Sequence, residues 1–466
     1  MATLVAPLEA NCIQHPGEPE SNNWRERTVC AEPRTLRTFT PSQAVIARSA
    51  GSYHFTPEGR KLADFSSGVL VSNLGHNPAR WWRRVMEYLQ LSGLDKCTSD
   101  FIAASPLTAY NAITPLEIEA SERLLANMKA QPGGGRMEQV LWAASGSEAI
   151  QKALWASLAQ NRDRNMILAT RGGFHGKKGL AGAVTGSETD KERDPRVRFI
   201  SFPKQECINV TRRKQPLDLQ PYRDELRKLS DEIGDRICCL ITEPYLGGGG
   251  SFHPQPEYMQ LLEQFCRQHG ALFILDEIQA NFGRTGPMYA YTQYGVEPDI
   301  VCLGKGLGNG VPVAAAVGGR DIFDAMSYGE GSDTWSANPL SSAAVLATLD
   351  EFEREDVIGH GKKLSQRIEA SLLRLLESGL VAHVRGEGCV WGIEFKATSN
   401  HFADEVAIKV VEACYRGNGA GLAIHLLGPL AGKVVRVSPP LTMPLNEADT
   451  YLDAMLGILR DLVKQL

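Results

Sequence analysis

The sequence predicts an α/β protein: a large domain built on a mostly parallel sheet covered by helices, then a smaller α+β domain. Three observations lead there. Short apolar, β-branched runs alternate with helical patterns through most of the chain. Three successive runs end in a charged residue, which gathers chemistry at one sheet edge. After about residue 345 the pattern changes to long amphipathic helices and then short strands.

At 466 residues the chain is too long for one small core. We divide it into an N-terminal arm (1–50), a large domain (51–345) and a small C-terminal domain (346–466). The arm is rich in Pro, Glu, Asn and Arg without clear periodicity, and reads as an extended, partly irregular segment, partly disordered or packed on a partner subunit. Strands are expected at "VLWAA" (140–144), "MILAT" (166–170), "RFISF" (198–202), "CCLITEP" (238–244), "LFILDE" (272–277) and "DIVCLG" (299–304). Helices are expected between them, as in "EAIQKALWASLAQN" and "PEYMQLLEQFCRQHG". The last part holds "AAVLATLDEFERE" and "KKLSQRIEASLLRLLESG", then "CVWGIEF" and "VVRVS".

Composition narrows the function. With 43% hydrophobic and 22% charged residues and a net charge of −5, the chain has no broad basic footprint for nucleic acid or anionic membrane. No apolar run is long enough to span a bilayer. The first twenty residues lack Lys and Arg but include Glu9, Glu18 and Glu20, which argues against a secretory signal or transit peptide. The ten cysteines form no CxxC pair, so no metal site is expected, and free thiols point to a reducing compartment, the cytoplasm by default.

"CLITEP" leads to Glu243, "LFILDE" to Asp276 and "DIVCLG" to Lys305. Lys305 stands between Gly304 and Gly306 in an apolar segment, where an unpaired lysine is unusual. Asn309 breaks a GxGxxG pattern and Asp299 breaks a Walker pattern, so these glycines do not form a nucleotide loop. A desolvated lysine can instead attack a carbonyl, and the glycines are expected to leave room for a flat ring on its amine. Asp276 suits a pyridine nitrogen. "SGSEA" has capping-box spacing from Ser145 to Glu148, and opens a helix N-terminus suited to phosphate. Together these are the requirements of pyridoxal 5′-phosphate (PLP).

The chain resembles the class III PLP-dependent aminotransferases of fold type I, the ornithine, 4-aminobutyrate and acetylornithine aminotransferase group. The resemblance runs from "GRKLADFSSGVLVSNLGH" (59–76) to "VVRVSPPLTMPLNEAD" (434–449) and is most specific in "LFILDEIQANFGRTGPMYAYTQYGVEPDIVCLGKGLGNGVPVAA" (272–315). It implies a seven-stranded sheet in the large domain and a homodimer with a shared active site. By resemblance, Lys305 holds the cofactor as a Schiff base and moves the proton, while Asp276 faces the pyridine nitrogen. Gln279 contacts the ring hydroxyl, Gly146 and Ser147 bind phosphate, and Phe174 stacks on the ring. Thr334 reaches the phosphate of the other subunit. Glu243 and Arg436 resemble a switchable salt bridge, and Arg436, when free, takes the α-carboxylate of glutamate or 2-oxoglutarate. Lys177 stands where several members have arginine, and with Val69 it is expected to line the substrate channel. Arg284 reads as a loop-organising ion-pair residue, and His175 as a structural histidine.

The expected reaction moves an amino group between an ω-amino acid or amine and 2-oxoglutarate or pyruvate. An aminomutase, a decarboxylating transaminase or a racemase would use the same parts, and a non-catalytic scaffold of the same fold is a further alternative. A dehydrogenase lacks its dinucleotide fingerprint.

Overall fold

The structure, a computed structural model, describes residues 12–110, 112–190, 193–429 and 431–466. Three short strands come first: β1 (Arg48–Ala50), β2 (Tyr53–Phe55) and β3 (Lys61–Asp64). The central strands are β4 (Gln139–Ala143), β5 (Met166–Thr170), β6 (Val197–Ile200), β7 (Ile237–Thr242), β8 (Leu272–Asp276), β9 (Ile300–Leu303) and β10 (Ala314–Gly318). Last come β11 (Val381–Glu387), β12 (Val390–Phe395), β13 (Ala423–His425) and β14 (Val434–Val437).

The central strands form one seven-stranded sheet in the order β4-β10-β9-β8-β7-β5-β6. Strands β5 to β9 run parallel, while β10 is antiparallel to both β4 and β9. Strands β5, β7, β8, β9 and β10 are buried along their whole length, which is why they read as continuous apolar runs. Strand β10, "AAAVG", escapes sequence reading because alanine and glycine carry little strand preference. Its burial between two partners decides its conformation.

The smaller sheets are β11-β12-β14 and β1-β2-β3-β13. The second joins strands near the N-terminus to β13, more than 350 residues later, by the parallel pairing of β3 with β13. Helices Pro339–Arg354 and Val357–Arg374 match the expected amphipathic runs.

The arm holds one regular element. Residues 1–11 lie outside the described residues, and Pro19–Ala31 is an α-helix. Proline at its first turn starts it. A buried Glu18–Arg25 pair, 2.7 Å apart, ties it down, and both side chains meet the Tyr415 hydroxyl. The helix has no apolar face to advertise it, because polar bonds to one distant tyrosine hold it. Among the described residues, no helix is long and apolar enough to cross a membrane.

Candidate active site

Parallel strands deliver side chains to one edge, and here four neighbours do so. Glu243 follows β7, Asp276 ends β8 and Lys305 lies just past β9. The loop after β5 carries Phe174 and His175. Asp276 is 4% exposed, and its Oδ2 accepts from His175 Nδ1 at 2.7 Å while Oδ1 accepts from the Ile278 N–H at 3.0 Å. The carboxylate is thus held from behind and beside. Among the described residues, His175 Nε2 is buried without a hydrogen-bond partner. The sequence marks His175 as merely structural, but its contact makes it the group that orients Asp276.

Lys305 is half-buried and adopts a left-handed backbone with φ 48°. That conformation is strained for lysine and is stored where chemistry is expected. Burial pulls its amine down to about 8, against the raising effect of Asp276.

The flanking glycines also meet protein. A Cβ on Gly306 would stand 2.4 Å from Asn73 Nδ2, and one on Gly304 would stand 3.3 Å from Ile278 Cγ2. They let protein pack tightly on the lysine loop. Gly146 has the same character, since its Cβ would lie 2.8 Å from Ile278 Cδ1.

Helix Gly146–Gln160 begins with the predicted capping box: the Glu148 N–H donates to Ser145 Oγ at 3.4 Å, and the Ser145 N–H donates to Glu148 Oε2 at 3.1 Å. Gly146 and Ser147 are half-buried at its first turn, where N–H groups favour an anion. A Cβ on Gly176 would touch Ser147 Oγ at 2.5 Å, so the "FHG" loop closes over this turn. Phe174 is half-buried, and Lys177 is exposed. Thr334 is exposed on the surface of the chain. Its loop is anchored by buried Lys152, which donates to Trp142 O (2.7 Å), Asp333 Oδ2 (2.6 Å) and Ser336 Oγ (3.2 Å).

Glu243 and Arg436 are both buried but do not bond each other. Glu243 accepts from the N–H groups of Phe174 (2.8 Å) and Gly247 (3.1 Å). Burial pushes its carboxyl up to about 7. Arg436 donates through Nη2 to Gly247 O (2.8 Å) and through Nη1 to Gln279 Oε1 (3.1 Å), and its Nε has no partner. The two side chains therefore grip opposite sides of one glycine residue. A Cβ there would collide with Gln279 Oε1 at 2.3 Å, which accounts for glycine in the "GGGG" turn. With its oxygen taken by Arg436, Gln279 keeps its NH2 to donate.

Val69 is 46% exposed and belongs to a left-handed turn with positive φ at Ser67, Gly68, Val69 and Leu70. A β-branched residue there is strained. Arg284, buried, helps fix the turn by donating to Ser67 Oγ, Asn73 Oδ1, Cys389 O and Pro439 O. It organises the loop as expected, but through neutral oxygens, with no ion pair among the described residues.

The class-III aminotransferase family model matches residues 37–459. The chain belongs to the class III aminotransferase family. It is 31% identical to an acetylornithine aminotransferase of Streptomyces coelicolor, covering 91% of this chain and 93% of that one. It is 28% identical to a 4-aminobutyrate aminotransferase of Mycobacterium leprae (95% and 96% covered), and 27% identical to a leucine/methionine racemase of Thermococcus litoralis (91% and 92%). Its fold is similar to the PLP-bound form of an amine transaminase from an uncultivated Pseudomonas species, with TM-score 0.73, 26% identity, and 96% and 98% coverage.

The cofactor of this class III aminotransferase is PLP, and the residues present fit it. A lysine with a lowered amine, a buried and oriented carboxylate, an amide with a free donor and an open helix start share one strand edge. What sequence reading missed is the support behind them: Asn73, Lys152 and the bond by which His175 orients Asp276. Their only signal is position beside a motif, as with His175 next to Phe174.

Proposed function

We propose that this enzyme is a homodimeric, cytoplasmic transaminase moving an amino group between an ω-amino acid or amine, such as 4-aminobutyrate, ornithine or acetylornithine, and 2-oxoglutarate or pyruvate. The observation that carries the reading is Arg436: 2% exposed, in no ion pair among the described residues, and with Nε free of partners. A buried guanidinium without a carboxylate is costly, and a substrate carboxylate is its natural bidentate complement. Glu243, turned to backbone N–H groups, leaves it free for that anion.

In this reading PLP, when bound, supplies the electron sink for the electrons of the Cα–H bond. Asp276, oriented by His175 and the Ile278 N–H, presents its carboxylate to the pyridine nitrogen. Gln279 would donate to the ring hydroxyl, Phe174 would pack against the ring, and Gly146 and Ser147 would hold the phosphate with Thr334 of the partner subunit. Lys305 Nζ, uncharged in part near neutral pH, takes the proton from the donor carbon and returns it elsewhere. Val69 and Lys177 border the donor channel.

A second reading, racemisation, is supported by the Thermococcus litoralis relative. One experiment separates the two. Holoenzyme mixed with L-glutamate in a single turnover is expected to release one equivalent of 2-oxoglutarate. D-glutamate formed without oxo acid would overturn the transaminase reading.

A further inference from the structure

Cysteine spacing gives no sign of a metal site, yet the fold assembles a ligand set from residues far apart in the chain. In the sheet β1-β2-β3-β13, His54 on β2 lies opposite Leu62, and His425 on β13 lies opposite Asp64. Leu62 and Asp64 are two residues apart on β3, so His54, Asp64 and His425 share one face of the sheet. One ligand atom from each lies within 4.8 Å of the other two. His54 Nε2 is 3.4 Å from Asp64 Oδ2, close to the roughly 3.3 Å that separates ligands bonded at about 2.0–2.1 Å in a tetrahedral site. A fourth group, His76, places Nε2 2.6 Å from the same oxygen.

The outer contacts are those of oriented ligands. Ser49 Oγ is 2.7 Å from His54 Nδ1, which leaves Nε2 turned to Asp64. The other Asp64 oxygen, Oδ1, accepts from the Ser66 N–H (2.7 Å) and Ser66 Oγ (2.6 Å), which leaves Oδ2 for the imidazoles. Metal-binding histidines and carboxylates are usually fixed in this way through their second atom. A further, separate observation is that His425 Nδ1 is buried with no hydrogen-bond partner among the described residues. One carboxylate oxygen cannot satisfy three imidazoles, and a buried polar nitrogen left unpaired is costly.

We propose that His54, Asp64 and His425 bind a divalent cation of the zinc class. An imidazole–carboxylate set selects zinc over calcium or magnesium, and a water completes a tetrahedron. Binding requires the three ligand atoms to draw together and the His76 hydrogen bond to Asp64 Oδ2 to yield. The ion pins β2, β3 and β13 beneath the left-handed turn that starts at Ser67. The proposal does not depend on the substrate reading.

The test uses tag-free holoenzyme, stripped with EDTA and alkylated at the exposed Cys30 and Cys97 so that surface thiols hold no metal. It is loaded with Zn2+ or Co2+, desalted and assayed for metal by mass spectrometry. The expected result is one Zn2+ retained per chain, a raised melting temperature, and the intense visible bands of tetrahedral Co2+ at wavelengths apart from the cofactor band. His54→Gln and His425→Gln should each weaken Zn2+ binding by at least about tenfold while PLP absorbance stays unchanged. Wild-type protein that retains no Zn2+, or variants that retain as much as wild type, would overturn the proposal. Should a variant fail to fold, the wild-type Co2+ spectrum decides: weak octahedral bands count against the site.

Discussion

Gly306→Ala should cripple the enzyme through Asn73 and not through the cofactor ring. The new methyl would sit 2.4 Å from Asn73 Nδ2, where ordinary contact begins at 3.4 Å, so about 1 Å must be found. Asn73 cannot give it freely. It is 1% exposed, donates to Phe282 O at 2.9 Å and accepts from Arg284 Nη2 at 2.5 Å. The lysine loop yields instead, and a displacement near 1 Å at a reacting group costs about 100-fold in rate. Overpacking of this kind also destabilises by about 1–3 kcal/mol. The assay is kcat at saturating PLP for Gly306→Ala, Asn73→Ala and the double variant, with thermal melts alongside. The expected double-mutant cycle is strongly coupled: relative to Asn73→Ala, adding the methyl costs less than about tenfold. If Gly306→Ala keeps the wild-type rate, or if Asn73→Ala gives no relief, the packing argument fails and the glycine serves the ring after all.

Other consequences follow from the same geometry. Arg436→Met removes charged hydrogen bonds worth about 1.5–3 kcal/mol, so kcat/KM for 2-oxoglutarate should fall about 10- to 150-fold, with an amine donor lacking a carboxylate scarcely affected. An equal loss for both substrates would make Arg436 structural. The rate at which apoenzyme takes up PLP should rise about tenfold per pH unit and level off near 8, because the nucleophile is the neutral Lys305 amine that burial pulls down to about 8. A rate still climbing toward the unperturbed lysine value of about 10.4 would contradict the desolvated setting. Lys152→Met frees the Thr334 loop by removing its bonds to Asp333 and Ser336. The Kd for PLP should rise about tenfold with kcat at saturating cofactor unchanged, and an unaltered Kd would exclude a shared phosphate site.

The sheet edge was legible because each buried strand is a short apolar run whose end is marked by a charge, as at Glu243, Asp276 and Lys305. The helix start at Ser145 was legible because capping is local chemistry. Strand β10 was not, since its alanines take their conformation from two neighbouring strands. The helix Pro19–Ala31 was hidden because one distant tyrosine and a buried ion pair hold it. The glycines beside Lys305 are plain in the sequence, but one reason for them is not: an atom that excludes a side chain at Gly306 belongs to Asn73, more than 200 residues earlier. For Glu243 and Arg436, sequence supplies the charges, but only the fold shows that Gly247 stands between them. The His54–Asp64–His425 cluster has no sequence signature at all, because strand pairing alone brings β13 beside β3.

The most direct test of the central claim is borohydride reduction of the PLP-loaded enzyme followed by peptide mass spectrometry. The account predicts one reduced phosphopyridoxyl group per chain, carried on Lys305, and none after Lys305→Ala. Labelling centred on another lysine, such as Lys177 or Lys178, or none in PLP-saturated protein, would contradict it.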